Sequence, residues 1–449
     1  MSYASAVEQL YELGHELART PSHKFDLAHM RVLLAALGNP QEKFRSVLIA
    51  GTNGKGSTAA TLSSIVQCAG HKTGLYTSPH LVRVNERIRV DGISIADETF
   101  AAVYEVVEAK SQELTANGDL PWHPSFFEML TAMAFTYFAQ VGVEVAVLEV
   151  GMGGRLDATN VVEPVVAVIA DISLDHQKFL GNTIAEIAAE KAGIVHEGGL
   201  VVTLPQHPAA NEVIGKAVLE RRARAVSAVE YMPPVTPESQ AVWAQSSRNR
   251  YSLSVMGREI TVDSPLVGRH QLRNLALAIA GAEQLGHAGV SITPEAIERG
   301  IRETRWPGRF QIIPAAGELP EMVLDVAHNP DGAWALRSAI SERYEGRPIT
   351  LLFAVLKDKA VGEITQVLFP LADYVVVTGV DNPRSATPEE VAEAAKRSGT
   401  EVVAAQKFAD AIENALELTP KNGVLVITGS IYLVGEALGW MEKENRAKI

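Results

Sequence analysis

A glycine-rich turn with one lysine and two hydroxyl groups follows an apolar run near residue 50, and its chemistry suits a bound phosphate. Residues 47–50 predict a buried strand, and a helical pattern begins directly after the turn. Glycines let backbone N–H groups approach an anion, the helix N-terminus adds partial positive charge, a lysine can neutralise the outer phosphates, and a hydroxyl can bind Mg²⁺. The predicted phosphate-binding residues are Gly51, Thr52, Asn53, Gly54, Lys55, Gly56, Ser57 and Thr58.

The order of residues in this turn departs from the usual phosphate-binding loop. The usual order is G-x-x-x-x-G-K-[ST], whereas here Gly56 separates Lys55 from Ser57. A strand-to-helix turn that binds no ligand therefore remains the alternative interpretation of these residues.

Three further groups that could take part in chemistry lie later in the chain. Glu149 ends an apolar strand, His176 follows the next strand, and Lys191 lies in a helical pattern. Because the carboxyl ends of parallel strands meet at one edge of a sheet, we expect Glu149 and His176 to lie near the phosphate loop. A buried carboxylate needs a cation, so Glu149 predicts either a metal ion or an ion pair with Arg or Lys. Taken alone, His176 is equally well explained by a structural hydrogen bond, and the position of Lys191 favours a solvated lysine near a helix C-terminus.

The order of predicted elements indicates an α/β protein with two domains. Strands alternate with helices, which predicts a mostly parallel sheet covered on both faces, as in P-loop ATPase domains. Proline and glycine interrupt the pattern near Arg305, and a smaller set of alternating strands and helices follows. We therefore predict an ATP-binding domain over residues 1–304 and a Rossmann-like domain over residues 305–449.

Composition excludes several classes of protein. The 449 residues are 47% hydrophobic and 21% charged, which is ordinary for a globular enzyme. A formal net charge of −13 argues against nucleic-acid binding, because phosphate backbones need clustered lysine and arginine. There is no membrane-length apolar run, no secretion signal, and only one cysteine. We expect a cytoplasmic monomer whose partners are small molecules, with neither nucleic acid nor membrane among them.

Seven motifs, taken in chain order, resemble those of the folylpolyglutamate synthase/dihydrofolate synthase family, which belongs to the Mur ligase superfamily. They span nearly the whole chain, and the family's own loop reads G-T-N-G-K-G-[ST], so the displaced lysine is expected. The motifs are GTNGKGS (51–57), SPHL (78–81), LEVGMGGRLDATN (148–160), DH (175–176), EKAGI (190–194), PGR (307–309) and DVAHNP (325–330).

The resemblance implies an ATP-dependent amide ligase that joins L-glutamate to a pteroate or folate carboxylate through an acyl phosphate. The form of residues 154–160 favours a bifunctional enzyme that accepts both dihydropteroate and a reduced folate such as tetrahydrofolate. A monofunctional folylpolyglutamate synthase is the alternative. A muramyl-peptide ligase fits less well, because only a short segment precedes the phosphate loop.

The same resemblance implies the cofactors and the metal ligands. It implies ATP, two Mg²⁺ ions, a carbamate formed on Lys191 from CO₂, and room for a monovalent cation. The carbamate would overturn the interpretation of Lys191 as a solvated lysine. The implied metal ligands are Ser57, Ser78, Glu149, His176 and the carbamate of Lys191.

The remaining roles implied by the resemblance fall into three groups. Those in catalysis belong to Lys55, Lys191, His176 and His328. Further ATP contacts are Asn274, Arg309 and Asp325, for which local capping or a hinge ion pair is the alternative. The implied contacts to the pterin or folate are Asp26, Leu27, Ala28, Phe127, Glu128, Arg155, Leu156, Asp157 and Ala158. Of the adjacent Phe126 and Phe127, one is expected to face the ligand and the other to belong to the core.

Overall fold

A computed structural model describes residues 1–14, 26–234 and 246–443 of the chain, which form two compact units. The first comprises Met1–Met232, Ser252–Val262 and Arg273–Thr304, and the second comprises Pro233–Tyr251, Asp263–Leu272 and Arg305–Ile449. Two short stretches before residue 273 thus belong to the second unit, and the domain division at residues 304 and 305 stays a prediction.

A large, mostly parallel sheet forms the centre of the first unit. Its strands in the described residues are β1 (Arg45–Ala50), β2 (Thr73–Tyr76), β3 (Ile88–Val90), β4 (Ile93–Ser94), β5 (Val145–Glu149), β6 (Val166–Ile169), β7 (Leu200–Thr203) and β8 (Arg224–Ser227). They lie in the order β4-β3-β2-β5-β1-β6-β7-β8. All neighbours from β2 to β8 run parallel, and β3 and β4 add an antiparallel edge.

Helices surround this sheet because its central strands are apolar on both faces. Every residue of β5 and β6 is buried, as expected for parallel strands covered on both sides. The helices described up to residue 303 are α1 (Tyr3–Glu12), α2 (Leu27–Ala36), α3 (Lys55–Cys68), α4 (Asp97–Asn117), α5 (Phe126–Val141), α6 (Gln177–Leu180), α7 (Ile184–Ala192), α8 (Pro208–Glu220), α9 (Arg269–His287) and α10 (Pro294–Glu303). Among the described residues, no helix is both long enough and apolar enough to cross a membrane.

The second unit contains a smaller sheet of the same kind. Earlier in the chain, β9 (Asn249–Val255) and β10 (Arg258–Ser264) form a separate two-stranded sheet. The strands of the smaller sheet are β11 (Gln311–Ile313), β12 (Glu321–Leu324), β13 (Ile349–Phe353), β14 (Tyr374–Thr378), β15 (Val403–Ala405) and β16 (Val424–Thr428). Their order is β11-β12-β16-β13-β14-β15, parallel except for β11. The helices are α11 (Pro330–Arg343), α12 (Val361–Leu368), α13 (Pro388–Ala395), α14 (Phe408–Leu418) and α15 (Ile431–Lys443). The predicted fold class is confirmed.

The register of the large sheet brings several strand ends to one edge. Ile49 of β1 pairs with Glu149 of β5, and Leu148 of β5 pairs with Tyr76 of β2. On the other side of β1, Ala50 pairs with Ile169 of β6. The polar residues that follow these strands therefore begin at the same edge, which is where open α/β sheets bind ligands.

Candidate active site

The phosphate loop needs glycine at two positions for reasons of space. A Cβ on Gly51 would lie 2.8 Å from the Cβ of Ala170, and a Cβ on Gly54 would overlap the side-chain amide of Asn274. Gly54 also has φ of +84°, a left-handed conformation that glycine adopts without strain. Asn274, predicted as an ATP contact, thus lies against the phosphate loop.

Lys55 folds back over this loop at the start of α3. Its Nζ donates hydrogen bonds to the carbonyl oxygens of Gly51, at 3.0 Å, and Thr52, at 3.2 Å. The N-cap of α3 is Gly54, which has no side chain to satisfy the first N–H groups of the helix. A lysine ammonium and a helix N-terminus therefore lie together, and both favour an anion.

Asp171 connects the phosphate loop to a further cation. Its carbonyl oxygen accepts hydrogen bonds from the backbone N–H groups of Thr52 at 2.7 Å and Asn53 at 3.1 Å. Its carboxylate accepts from Nε of Arg273 at 2.8 and 2.9 Å. Neither Asp171 nor Arg273 was predicted from the sequence. Asp171 could have been identified from the sequence, because it stands at the end of a buried apolar run, as Glu149 does.

Lys191 lies in the last turn of α7 and is only 4% exposed, so the interpretation as a solvated lysine is wrong. Its Nζ donates a 2.7 Å hydrogen bond to the carbonyl oxygen of Gly51, which also accepts from Lys55. Burial, helped by the charge of Lys55, holds the pKa of Lys191 well below its usual value, and the charges of Asp175 and Asp157 only partly oppose this. Burial at this position therefore shifts the protonation equilibrium of Lys191 toward the neutral amine.

Glu149 is buried at the end of β5, 5% exposed, and lies against Ser78. Its Oε2 accepts a hydrogen bond from the backbone N–H of Ser78 at 3.2 Å. Ser78 follows β2, and its peptide bond with Pro79 is cis. Two of the predicted metal ligands are thus brought together at the edge of the sheet.

His176 and Asp175 lie after β6, in the loop that leads into the short helix α6. His176 has φ of 50°, and its backbone N–H donates to Oδ1 of Asp175 at 2.8 Å. Its Nε2 lies 3.9 Å from Oδ2 of the same carboxylate. Since the charge of Asp175 also acts on Lys191, Asp175 is a neighbour of two predicted site residues. Its role was not predicted, although it stands beside His176 in the sequence.

Residues on α5 and on the loop after β5 are predicted to contact the pterin or folate, which is the acceptor of the glutamate. These two segments meet at Gly151. A Cβ on Gly151 would lie 2.6 Å from Cζ of Phe127 and 3.2 Å from Oδ2 of Asp157. Phe126 is 3% exposed and stacks on Tyr11, with ring centroids 5.5 Å apart. Phe126 therefore belongs to the core, and the partly exposed Phe127 is the one of the two that lies beside the loop.

Asp157 organises the loop after β5. Its carboxylate accepts hydrogen bonds from the backbone N–H groups of Gly151 at 3.0 Å, Met152 at 3.1 Å and Thr159 at 3.0 Å. Burial raises the pKa of Asp157, although these hydrogen bonds oppose the rise. Of its neighbours, Arg155 is exposed and pairs with Glu190 at 2.9 Å. Leu156 is half-buried, and Ala158 is 6% exposed.

The N-terminus of α2 completes this region of the first unit. Asp26 caps the helix by accepting the backbone N–H of Ala28 at 2.8 Å, and Leu27 is the first helical residue. Helix α2 packs against both α5 and the turn Ala158–Val161, and α5 packs against the same turn. The three segments predicted to hold the acceptor therefore form one packed group.

The predicted residues of the second unit gather around Asp325, directly after β12. Its buried carboxylate accepts the backbone N–H of Phe310 at 2.8 Å and of Ala327 at 2.9 Å. Burial raises the pKa of Asp325, and the charges of His270 and Arg309 act against this rise. Close by in sequence, Nδ1 of His328 lies 2.8 Å from the carbonyl oxygen of Val326. His270 was not predicted.

Comparisons with known proteins match both parts of the chain to one superfamily. Residues 49–282 match the Mur ligase middle domain, and residues 308–431 match the Mur ligase glutamate ligase domain. The dihydrofolate synthase/folylpolyglutamate synthase of Bacillus subtilis (strain 168) is 35% identical over 419 residues, which cover 91% of this chain and 93% of that protein. The chain belongs to the folylpolyglutamate synthase/dihydrofolate synthase family.

Solved structures from this family share the fold over nearly the whole chain. A Mycobacterium tuberculosis folylpolyglutamate synthase complexed with ADP and AMPPCP is 34% identical, with a TM-score of 0.87 over 98% of both chains. Escherichia coli FolC in complex with DHPP and ADP is 29% identical, with a TM-score of 0.84 over 99% of both chains. The family resemblance found in the sequence motifs is confirmed.

Two of the metal ligands implied for a folylpolyglutamate synthase/dihydrofolate synthase, Glu149 and His176, are of the residue types that most often bind metals. Within the described ranges, no group of three or more His, Cys, Asp or Glu side chains is placed to hold a metal ion. Ser78 and the buried carboxylate of Glu149 nevertheless offer oxygen donors beside the phosphate loop. Mg²⁺ prefers oxygen ligands and usually keeps several waters and substrate phosphates. The residues therefore fit a Mg²⁺ bound largely through water and nucleotide.

Proposed function

We propose that this protein uses ATP to join L-glutamate to the carboxylate of a pteroate or folate. The observation that carries the proposal is the phosphate loop, where Lys55 and the first N–H groups of α3 lie together at the sheet edge at which Glu149 ends its strand. A carboxylate that attacks a triphosphate brings anions together, so the site must supply cations and positioning rather than a protein nucleophile. Family membership supports the same reaction.

The proposed reaction has two steps. An oxygen of the acceptor carboxylate attacks the γ-phosphorus of ATP, and the bond to the β-phosphate oxygen breaks, giving an acyl phosphate and ADP. The glutamate amine then attacks the acyl carbon, phosphate leaves with the electrons of the C–O bond, and the amine releases a proton. Lys55 and the first N–H groups of α3 hold the phosphates and offset the charge on the leaving oxygen. Mg²⁺, when bound, supplies further charge neutralisation.

We further propose that Lys191 carries a carbamate. Its neutral amine, which burial favours, would attack CO₂ to form an N–C bond and release one proton. The product is an anion on a long stem, which would give Mg²⁺ a carboxylate-like oxygen ligand in place of an amine. In this form Lys191 would join Ser57, Ser78, Glu149 and His176 as the proposed ligands of up to two Mg²⁺ ions.

Several finer assignments also belong to this proposal. Residues 154–160 resemble the form typical of bifunctional enzymes of this family, which supports acceptance of both dihydropteroate and reduced folate. In the second unit, Arg309 and Asp325 are proposed to contact ATP, and His328 to take part in catalysis. The monovalent cation, the monomeric state and the cytoplasmic location stay predictions.

Purified protein is expected to release ADP over many turnovers with dihydropteroate or tetrahydrofolate only when L-glutamate is also present, because without the amine the reaction stops at the acyl phosphate after one equivalent of ADP. A coupled ADP assay with each acceptor, with and without glutamate, measures this, and mass spectrometry of the products confirms the added glutamate.

The same assay separates the alternatives. Turnover with tetrahydrofolate but not dihydropteroate would identify a monofunctional folylpolyglutamate synthase. ADP release without any acceptor, or no ADP release with either acceptor plus glutamate, would contradict the proposed function.

A further inference from the structure

A buried ion pair joins the two helices that present acceptor residues. Nδ1 of His29, in the first turn of α2, lies 3.1 Å from Oε1 of Glu128 in the first turn of α5. The two residues are 5% and 8% exposed. His29 follows the segment 26–28 directly, and Glu128 follows Phe127. The pair therefore adjoins two of the predicted acceptor segments, and Glu128 is itself one of the residues predicted to contact the acceptor.

The carboxylate of Glu128 is held by groups of the protein on both of its oxygens. While Oε1 faces His29, Oε2 accepts from the backbone N–H of Ser125 at 2.8 Å and from its hydroxyl at 2.7 Å, closing a capping box on α5. The carboxylate thus faces His29 on α2 and Ser125 at the N-terminus of α5. Such an arrangement suits a residue that positions the ends of two helices.

The ring of His29 faces the carboxylate of Glu128 on one side and a backbone carbonyl oxygen on the other, which favours the protonated form as long as Glu128 is ionised. Its Nε2 lies 3.0 Å from the carbonyl oxygen of Trp122, and the two rings stack with centroids 5.5 Å apart. A carbonyl and a carboxylate both accept hydrogen bonds, so only an imidazolium, with two N–H groups, can donate to both. Burial alone would lower the pKa of His29, but Glu128 and the Trp122 carbonyl raise it above its usual value.

We propose that His29 and Glu128 form a charged positioning pair that aligns the acceptor-binding ends of α2 and α5, so that acceptor binding depends on it while ATP binding does not. The inference rests on the proposed function and on the family resemblance, which implies that these segments contact the acceptor. Lys55 and the phosphate loop are built on other elements, β1 and α3. Loss of the pair should therefore raise the KM for the acceptor selectively.

The pair also makes acceptor binding depend on pH. The pKa of His29 is raised above its usual 6.5, so its contribution is complete below that pH and is lost as the pH rises through the raised pKa. Burial would raise the pKa of Glu128, but His29 and Ser125 lower it below 4.5, so Glu128 stays ionised throughout this range.

Two other charged groups lie near the pair: Asp26 on α2, whose charge also raises the pKa of His29, and His123 in the segment before α5, whose pKa is raised in part by the charge of Glu128. His123 pairs with Glu108 at 3.0 Å and has a raised pKa of its own. Both histidines lose a proton as the pH rises, so a loss of acceptor affinity at alkaline pH could come from either one. Comparing the wild type with a His29 variant identifies the part that is due to His29.

Two substitutions each remove one charge of the pair. His29→Gln removes the imidazolium, and Glu128→Gln removes the carboxylate while a glutamine can still close the capping box. Each is expected to raise the KM for dihydropteroate about tenfold, with kcat and the KM for ATP within about twofold, since one charge-assisted hydrogen bond is lost. The alkaline rise of the acceptor KM should disappear in both variants.

His71→Gln is the matched control. His71 also places Nδ1 against a carboxylate, that of Glu144 at 3.0 Å, and Nε2 against a carbonyl, that of Ser291 at 3.1 Å. This pair lies before β5, at the end of the sheet away from the phosphate loop. Its loss should leave both KM values and the pH profile unchanged.

The outcomes separate this inference from the proposed function. If the wild type shows no glutamate-dependent turnover with either acceptor, the proposed function fails. If the wild type is active but the acceptor KM and its pH profile match in all variants, or the KM for ATP rises equally, the positioning role is contradicted. Thermal unfolding shows whether each variant folds; should His29→Gln not fold, Glu128→Gln and its pH profile decide the question.

Discussion

Lys55→Met is expected to lower kcat/KM for ATP by about a thousandfold, as for the loss of a group that stabilises the charge of a transition state. Methionine keeps a similar length and apolar stem but has no charge to place on the phosphates. Lys55 donates to the carbonyl oxygens of Gly51 and Thr52, and in the variant the Gly51 carbonyl keeps its hydrogen bond from Lys191. The fold should therefore persist.

Steady-state kinetics with saturating acceptor and glutamate measure the loss, and thermal unfolding checks the fold. Lys43→Met is the control, because Lys43 is an exposed lysine before β1 and should keep full activity. Activity of Lys55→Met within about threefold of the wild type would show that the loop does not act on the phosphates of ATP as proposed.

Lys191→Ala is the second large change, with an expected loss of about a thousandfold in kcat that added formate or acetate restores in part. Alanine removes the stem on which the carbamate would form and leaves a cavity beside Gly51, where a small carboxylate can enter. Lys191→Arg places a cation at this position but cannot form the carbamate, so this variant should be inactive. If Lys191 acted only through the charge of an ammonium, Lys191→Arg would keep activity, and formate or acetate would not restore Lys191→Ala.

Carbon-13 NMR on protein equilibrated with labelled bicarbonate observes the carbamate directly, apart from any activity. A resonance that is present in the wild type and in Lys178→Ala but missing in Lys191→Ala is the expected result, since Lys178 is exposed. Full activity in Lys191→Ala, or a spectrum unaffected by the substitution, would contradict the modification.

The phosphate loop and the fold class could be predicted from the sequence because their signals lie in consecutive residues. A buried strand, glycines, a lysine and a helix follow one another at residues 47–69, and alternation of strands and helices carries the rest of the architecture. Glu149 was visible for the same reason, because a charged residue that ends an apolar strand stands out. The family motifs then supplied roles that local patterns leave open.

Contacts between distant residues could not be predicted in this way. The hydrogen bond from Lys191 to Gly51 joins residues 140 apart in sequence, and the pair of His29 and Glu128 joins residues 99 apart. Spacing placed Lys191 on the last turn of a helix, where lysines are commonly solvated, and only tertiary packing buries it. His29 showed no signal of its own, because its partner lies on another helix.

The choice between Phe126 and Phe127 shows how packing resolves an ambiguity in the sequence. Adjacent residues of a helix point in different directions, so one of the two was expected to face the ligand. Stacking on Tyr11 commits Phe126 to the core, while Phe127 lies against Gly151 at the loop after β5. Its acceptor contact stays a prediction.

The measurement that most directly tests ligation through an acyl phosphate uses dihydropteroate labelled with oxygen-18 in its carboxylate. Phosphorus-31 NMR of the products, after turnover with ATP and L-glutamate, detects the isotope in inorganic phosphate. The proposed reaction predicts one labelled oxygen in phosphate for each glutamate joined, because the carboxylate oxygen that attacks ATP leaves with the phosphate. Phosphate free of the label, formed together with the glutamate adduct, would contradict it.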